Sequence, residues 1–487
     1  MPLLATLLAT LALTPAPDSA RPVLQAALAA HGMSARAPDG VTASFSGVLA
    51  MRGQSRGVDG PLDWEPARTT TTWDARNDRI AQDAENTYPV GFVLTYRTVV
   101  TPDTGFVIEL TRWLQGAMVD RGAATPRPAV RATLLRELGP FWIEHALAHG
   151  TALRRLGDER DGARTYQVVS LDDGAGEIAA GFDARTHLLA WLETRAQHPV
   201  TGLERTRVTF AGYRSERARA GMTPLRLPTL RVDTRNGVES QRGLIAWTLG
   251  AAPPDSLFAV PAGYHENHES TEPLRPLADG VWALRITTGY TAMVVEFDHF
   301  LAVMEAPINS ALSERALRAI AERFPEKPVR YVAFTHHHTD HAGGLRPYIA
   351  RGVTVLATPA ESAFVERLAA VELPLQPDSL SRAPRRPIFE TFTGARRVRD
   401  GARELDLYDM GATSHASSMV FAYVPGAGIA YDGDATIFPP DVTDVPVNPL
   451  TGELLRAFRD AGIADSVTTI VGTHVGPVPV ARLTTPR

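Results

Sequence analysis

Residues 335–344 read THHHTDHAGG, which places four imidazoles and one carboxylate within six consecutive positions. Titratable groups crowded this tightly are costly to desolvate unless a cation sits between them, and mixed nitrogen and carboxylate donors are what a divalent metal takes. In extended chain, alternate side chains face the same way, so His336 and His338 can grip one ion while His337 turns aside. Asp340 and His341, at the turn into a following helix, can address a second ion, and Gly343 and Gly344 let the backbone pass closely. The chain contains no cysteine. That excludes disulfides, thiolate nucleophiles and cysteine-held zinc or iron–sulfur centres, and leaves His, Asp and Glu as ligands.

Further donors follow at strand ends. His415 stands in GATSHASSMVFAYV just before a strand, Asp434 in GIAYDGDATIF just after one, and His474 in TTIVGTHVGP after a β-branched run. With the H-x-H-x-D-H stretch, these resemble the metallo-β-lactamase superfamily over about residues 277 to 480. A lone H-x-H is weak evidence, but seven ligand-type residues in the expected order are specific. The resemblance implies one metal at His336, His338 and His415, a second at Asp340, His341 and His474, and Asp434 bridging them, with two zinc ions expected. It further implies an enzyme, a hydrolase in which a metal-bound hydroxide attacks an ester, lactone, thioester or amide bond, with Asp340 orienting the hydroxide or shuttling its proton. Asp432, two residues before Asp434, competes for the bridging place.

Two features depart from the family pattern. Where many of its hydrolases carry G-H-T-P-G-H, this chain has Gly411, Ala412, Thr413, Ser414 and His415, which counts against a glyoxalase-type substrate site. β-Lactamases of the superfamily generally lack the bridging aspartate, so Asp434 lowers that reading. The alternatives are a β-lactamase, a mono-iron oxidoreductase of the same fold, and a non-catalytic binding protein.

The elements that must position these residues divide the chain in two. Short alternating runs such as VTASFSGVLAMRG, RTYQVVSLDD and ERTRVTFAGYRS, broken at Gly, Asp and Asn, predict antiparallel sheet from about Gly40 to Tyr264. Arg127 to Leu156 has spacing near 3.6 and predicts one or two helices, interrupted at Gly139 and Pro140. From Tyr213 to Tyr264 the pattern is faintly similar to the half-barrels of bacterial lipoprotein carriers. The polar stretch HENHESTEPLRP reads as a linker, after which strands and helices alternate. The fold class expected is thus an α/β, αββα metallo-β-lactamase-like sandwich at 277–487, preceded by an α+β, mainly antiparallel β domain at 21–264 and a linker at 265–276.

Residues 1–20 resemble a signal peptide without a basic n-region, with cleavage near Ala16 or Ala20, which predicts a periplasmic or secreted protein. No later run is long enough to span a membrane. With 49 basic and 54 acidic side chains, a net charge of -5 and a single lysine, Lys327, the chain lacks the basic excess of a nucleic-acid binder. The expected partner is a small-molecule substrate. Trp113, Trp142, Trp191 and Trp247 could line a groove for an apolar ligand in the first domain, although core packing is the commoner use of such residues. His145 and His149, four apart on one helical face, could bind zinc but lack a third ligand. His265 and His268 fall in the linker, and His299 at a turn.

Overall fold

The computed structural model describes residues 20–33, 38–89, 92–121, 127–217, 223–266, 272–437, 445–474 and 476–484. The leader reading at residues 1–19 and His268 lie outside them.

Alternating strands of the first half pair into one 14-stranded sheet, antiparallel except at the edge where His265–Glu266 lies parallel to Met118–Asp120. At its centre Gly40–Ala50 pairs with Trp64–Asp74 on one side and Val238–Gly250 on the other. Helices Ala20–Ala30, Arg127–Glu137 and Trp142–His149 cover one face, where Leu24, Leu135, Phe141, Trp142 and Ile143 pack against Val41, Phe45, Val169 and Phe182. The helical run ends sooner than its spacing predicts. After Gly150, which is extended rather than helical, Thr151–Asp161 is an edge strand paired with Arg164–Asp172, its side chains alternating in exposure as strand geometry requires although the sequence ALRRLGDERD does not alternate and leaves Leu156 outward. Trp142 and Trp191 are core residues, while Trp247 packs at the core margin.

The C-terminal domain is an αββα sandwich preceded by this β-rich region. Leu274–Ala278, Val281–Thr287, Tyr290–Glu296, Leu301–Met304, Val329–Ala333, Thr354–Ala357 and Ile388–Thr391 form a mixed sheet in that order. Ala395–Asp400, Arg403–Gly411, Met419–Val424, Ile429–Asp432, Thr469–Gly472 and Val478–Pro479 form the second. Strict alternation assigns each side chain to a layer: Met293 and Val295 enter the inter-sheet core with Val420, Ala422 and Tyr431, while Val294 and Val303 meet the outer helices Ser310–Arg323 and Pro359–Ala370. Those helices start at side-chain caps, Asn309 accepting from the Leu312 amide and Thr358 from that of Glu361. Pro449–Asp460 covers the other sheet through Leu454 and Phe458. No helix among the described residues is long and apolar enough to cross a membrane.

A loop of the first domain reaches this sandwich. Between strands Gly40–Ala50 and Trp64–Asp74 the chain folds back on itself, the Ser55 hydroxyl donating to the Met51 carbonyl and Asp63 Oδ2 accepting from the Arg56 amide. Its tip lies on the H-x-H-x-D-H segment: the Thr339 amide donates to the Gly53 carbonyl at 2.9 Å and the Ser417 amide to that of Arg56 at 2.7 Å. Gly53 has a φ of +70°, and a Cβ there would stand 2.3 Å from Thr339 Oγ1, so close approach demands glycine.

Candidate metal centre

The histidine-rich loop closes strand Val329–Ala333, and the short helix Thr339–Ala342 follows it. Gly343 makes the passage possible, since a Cβ there would meet the Ile308 carbonyl oxygen at 2.4 Å. The later donors stand beyond three neighbouring strands: His415 before Met419–Val424, Asp434 after Ile429–Asp432, and His474 after Thr469–Gly472. Thr413 builds the turn that presents His415, its hydroxyl oxygen accepting from the amides of His415 and Ala416.

All seven side chains converge in two adjoining groups: His336, His338, His415 and Asp434, and beside them Asp340, His341 and His474, with the donor atoms of each group within 4.8 Å of one another. His336 Nε2 stands 2.9 Å from His338 Nδ1 and 3.1 Å from His415 Nε2. Asp434 divides its two oxygens. Oδ2 lies 2.8 Å from His415 Nε2, whereas Oδ1 lies 3.0 Å from both His341 Nε2 and His474 Nε2. His341 Nε2 and Asp434 Oδ1 are buried without a hydrogen-bond partner. Imidazole nitrogens and carboxylate oxygens from four separate chain segments converging on a common space are the mixed donor set that fits a divalent cation.

Electrostatics separate the two groups. Burial and the surrounding imidazoles hold His336 and His338 well below the ordinary histidine value, so their lone pairs stay free. Although burial opposes it, Asp434, Asp340 and Glu305 raise His341 well above that value, and Asp434 and Asp340 raise His474 to about 9. Against burial, the same histidines pull both aspartates below the usual carboxylate range. Asp432 belongs to neither group: it accepts from the Thr436 hydroxyl, and burial pushes it up to about 7.

Most of these imidazoles have their far nitrogen engaged, which fixes the ring and the tautomer. The Thr335 hydroxyl lies 3.1 Å from His336 Nδ1, Glu305 Oε2 lies 3.2 Å from His341 Nδ1, and the Gly289 carbonyl accepts from His474 Nδ1 at 3.0 Å. The Ser55 carbonyl, from the loop of the other domain, accepts from His338 Nε2 and His337 Nε2, each at 3.0 Å. Beside it, the Gln54 amide donates to Asp340 Oδ1. His337 faces away from both groups, against Phe364 and within 3.8 Å of Glu361.

Sequence reasoning missed Gln54, Ser55, Glu305 and Gly289. Glu305 alone left a signal, as an acid closing the apolar strand run LAVME. Sequence also missed the aromatic surround, where Tyr290 packs edge-on to His474 at 4.8 Å. Burial, with Asp340 close by, pushes the Tyr88 hydroxyl up to about 12 and raises those of Tyr96 and Tyr290, so all three remain proton donors. His145 and His149 are neighbours with rings 5.0 Å apart, but His145 is engaged with the Asp173 carbonyl and Arg131, and they join no third ligand among the described residues. His265 is exposed, and His299 pairs with Asp400 at the surface.

Residues 307–474 match the family model of the metallo-beta-lactamase superfamily. The 2,4-dinitroanisole O-demethylase subunit alpha of Nocardioides sp. (strain JS1661) is 25% identical over 189 residues, 38% of this chain and 52% of that protein. The chain therefore spans about half the length of that curated relative. Similar solved structures include the sec-alkylsulfatase Pisa1 from Pseudomonas sp., at 16% identity and TM-score 0.31 over 43% of this chain and 39% of that one. Another is a metallo-beta-lactamase from Pontibacter korlensis, at 15% identity and TM-score 0.34 over 43% of this chain and 93% of that one.

Proposed function

We propose that the C-terminal domain, taken as a member of the metallo-β-lactamase superfamily, is a dinuclear zinc-dependent hydrolase acting on an ester, lactone, thioester or amide bond. His336, His338 and His415 would hold one ion, Asp340, His341 and His474 the other, and Asp434 both. The observation that carries this reading is the division of Asp434, one oxygen toward each histidine group. Bound together, two divalent ions supply electrophilic activation of the scissile group and lower the pKa of water toward neutrality.

The chain's own residues do the rest. Asp340 retains 19% exposure of its side chain where the neighbouring histidines have almost none, so this carboxylate, kept ionised by His341 and His474, would orient a water that reaches the site from solvent. Gln54 ties its Oδ1 and leaves Oδ2 within 3.7 Å of His341 and 3.5 Å of His474. Tyr290 shields the second group from water by covering the His474 ring. The leader reading of residues 1–20 would place this hydrolase in the periplasm or outside the cell, and the N-terminal sequence of the mature protein tests it.

One finding favours a second reading. The relative from Nocardioides carries the name of an O-demethylase, which makes cleavage at an aryl methyl ether, or oxidative chemistry at a single iron, the alternative. Two complete donor groups weigh against a single ion. Elemental analysis of purified, unsupplemented protein separates the readings. About two zinc ions per chain, with turnover of an ester, lactone or thioester, support the hydrolase; one iron overturns it in favour of the oxidoreductase.

A further inference from the structure

The floor of the site belongs to the C-terminal domain, but part of its wall does not. A cavity of about 90 Å³ opens onto His415 and Asp434, lined by Phe92 and Trp113 of the first domain and by Ile437, Asn448, Pro449 and Leu450 of the second. Its surroundings are apolar apart from Asn448 and the two metal-site side chains, the composition of a pocket that binds by shape and orients through few polar groups.

Both first-domain rings are held in place before any ligand arrives. Trp113 sits in the loop after strand Gly105–Glu109, and the buried Glu109 carboxylate organises that loop. It accepts from the Thr111 hydroxyl at 2.8 Å and from the backbone amides of Trp113, Leu114 and Gln115 at 2.5, 2.9 and 2.7 Å. Burying a carboxylate is costly unless such donors surround it, and here their combined effect is to fix the segment that carries Trp113. The Tyr264 hydroxyl donates to the Glu109 carbonyl, and the Arg112 guanidinium lies 4.7 Å from the Tyr264 ring centre, bracing the loop from behind. Phe92 is fixed separately: its ring stacks on Tyr88 at 5.1 Å with an 11° interplanar angle, and its carbonyl accepts from the Tyr88 amide.

We propose that this cavity receives one flat apolar ring of the substrate, an aryl group next to the reacting bond, and that Trp113 and Phe92 are its specificity-determining residues. The volume is of the order of an engineered apolar cavity of ~150 Å³ that takes up benzene, with no room for a lipid chain. Aromatic walls favour such a ring by offset or edge contacts in addition to area burial. The position of the reacting bond rests on the hydrolase reading; recognition of the ring does not.

Two readouts keep these apart. The first is kcat/KM for phenyl acetate and for ethyl acetate, and the second is calorimetric affinity of the zinc-loaded protein for benzoate and for acetate. Both are measured on the full chain and on Trp113→Ala, Phe92→Ala and Trp113→Phe, with zinc content and circular dichroism checked for each. We expect either alanine substitution to lower phenyl acetate turnover and benzoate affinity by about tenfold or more. Ethyl acetate and acetate should change by less than about twofold, and Trp113→Phe should recover most of the loss. Phe92→Ala, in a separate loop, remains informative if Trp113→Ala fails to fold. Benzoate preference lost in the variants without any ester turnover would overturn the hydrolase reading and leave the ring pocket standing. Equal effects on the aryl and alkyl probes, or no benzoate preference in the parent protein, would overturn the ring pocket.

Discussion

Gln54→Ala removes an amide that the first domain extends to a carboxylate of the candidate metal centre, across 286 residues of chain. A hydrogen bond to a charged acceptor contributes roughly 1.5–3 kcal/mol, and at about 1.4 kcal/mol per tenfold its loss corresponds to a factor of about 10 to 150. Part of that loss falls on folding, because Asp340 accepts the bond whether or not an ion is present. The remainder falls on binding, since a freed Asp340 must be reoriented at Oδ2 before it can act with His341 and His474. Loss of an outer hydrogen bond at a metal site ordinarily lowers affinity by about 10- to 100-fold, in line with that range. The assay is titration of zinc-loaded protein with a competing chelator near neutral pH, with thermal unfolding of the metal-free protein measured in parallel. One of two zinc equivalents should weaken by about tenfold or more, while the equivalent held by His336, His338 and His415 changes little. Equal release of both equivalents in parent and variant would refute the claim that the first domain tunes the site.

Three other expectations follow from buried groups. Asp434→Ala should lower zinc content at both groups, whereas Asp432→Ala should leave stoichiometry intact, because Asp432 points to Thr436; elemental analysis of both variants decides it. Arg346 is buried and donates to Asp378, Ser381 and the carbonyls of Leu368, Ala369 and Val371. Arg346→Met should therefore cost about 3–5 kcal/mol in urea unfolding by stranding the Asp378 carboxylate. Burial lowers His31 to about 4 from 6.5, and its Nε2 accepts from the Leu189 amide. The unfolded state then binds the extra proton, so stability falls as pH drops from about 6.5 through 4, by about 3 kcal/mol in all at ~1.36 kcal/mol per unit. His31→Phe should lose less stability than the parent between pH 7 and 4.5, and equal losses would refute the assignment.

The sandwich was legible because its signals are local. Apolar runs such as AMVVEF and VRYVAF are strands whose alternate residues fill different layers, and ligand-type residues at strand ends come together when neighbouring strands share a sheet edge. The overlong helix at Arg127–Leu156 shows the limit of that reasoning, since ALRRLGDERD carries apolar residues compatible with either period until its neighbouring strand is known. Gln54, Ser55 and Phe92 stayed hidden for a different reason, and Trp113, named as one of four tryptophans that could line an apolar groove, had nothing in its sequence to set it apart from the other three. Their sequence neighbourhoods, MRGQSRG, GFVL and TRWLQG, are ordinary loop chemistry, and their meaning arises from contacts hundreds of residues away. Even Glu109, which organises the Trp113 loop, reads in sequence as one acid at the end of a strand.

The Ser55 carbonyl that accepts hydrogen bonds from His337 and His338 belongs to chain made 282 and 283 residues earlier. Contacts so distant close late, after the entropy of a long connection has been overcome. A ribosome would therefore release the loop of the first domain long before the imidazoles it steadies exist, and the centre would be complete only when that loop and the later segment have met. Ion capture then becomes a checkpoint on assembly. A nick, a strain or a mutation that parts the halves should show first as lost metal, before either core has begun to melt.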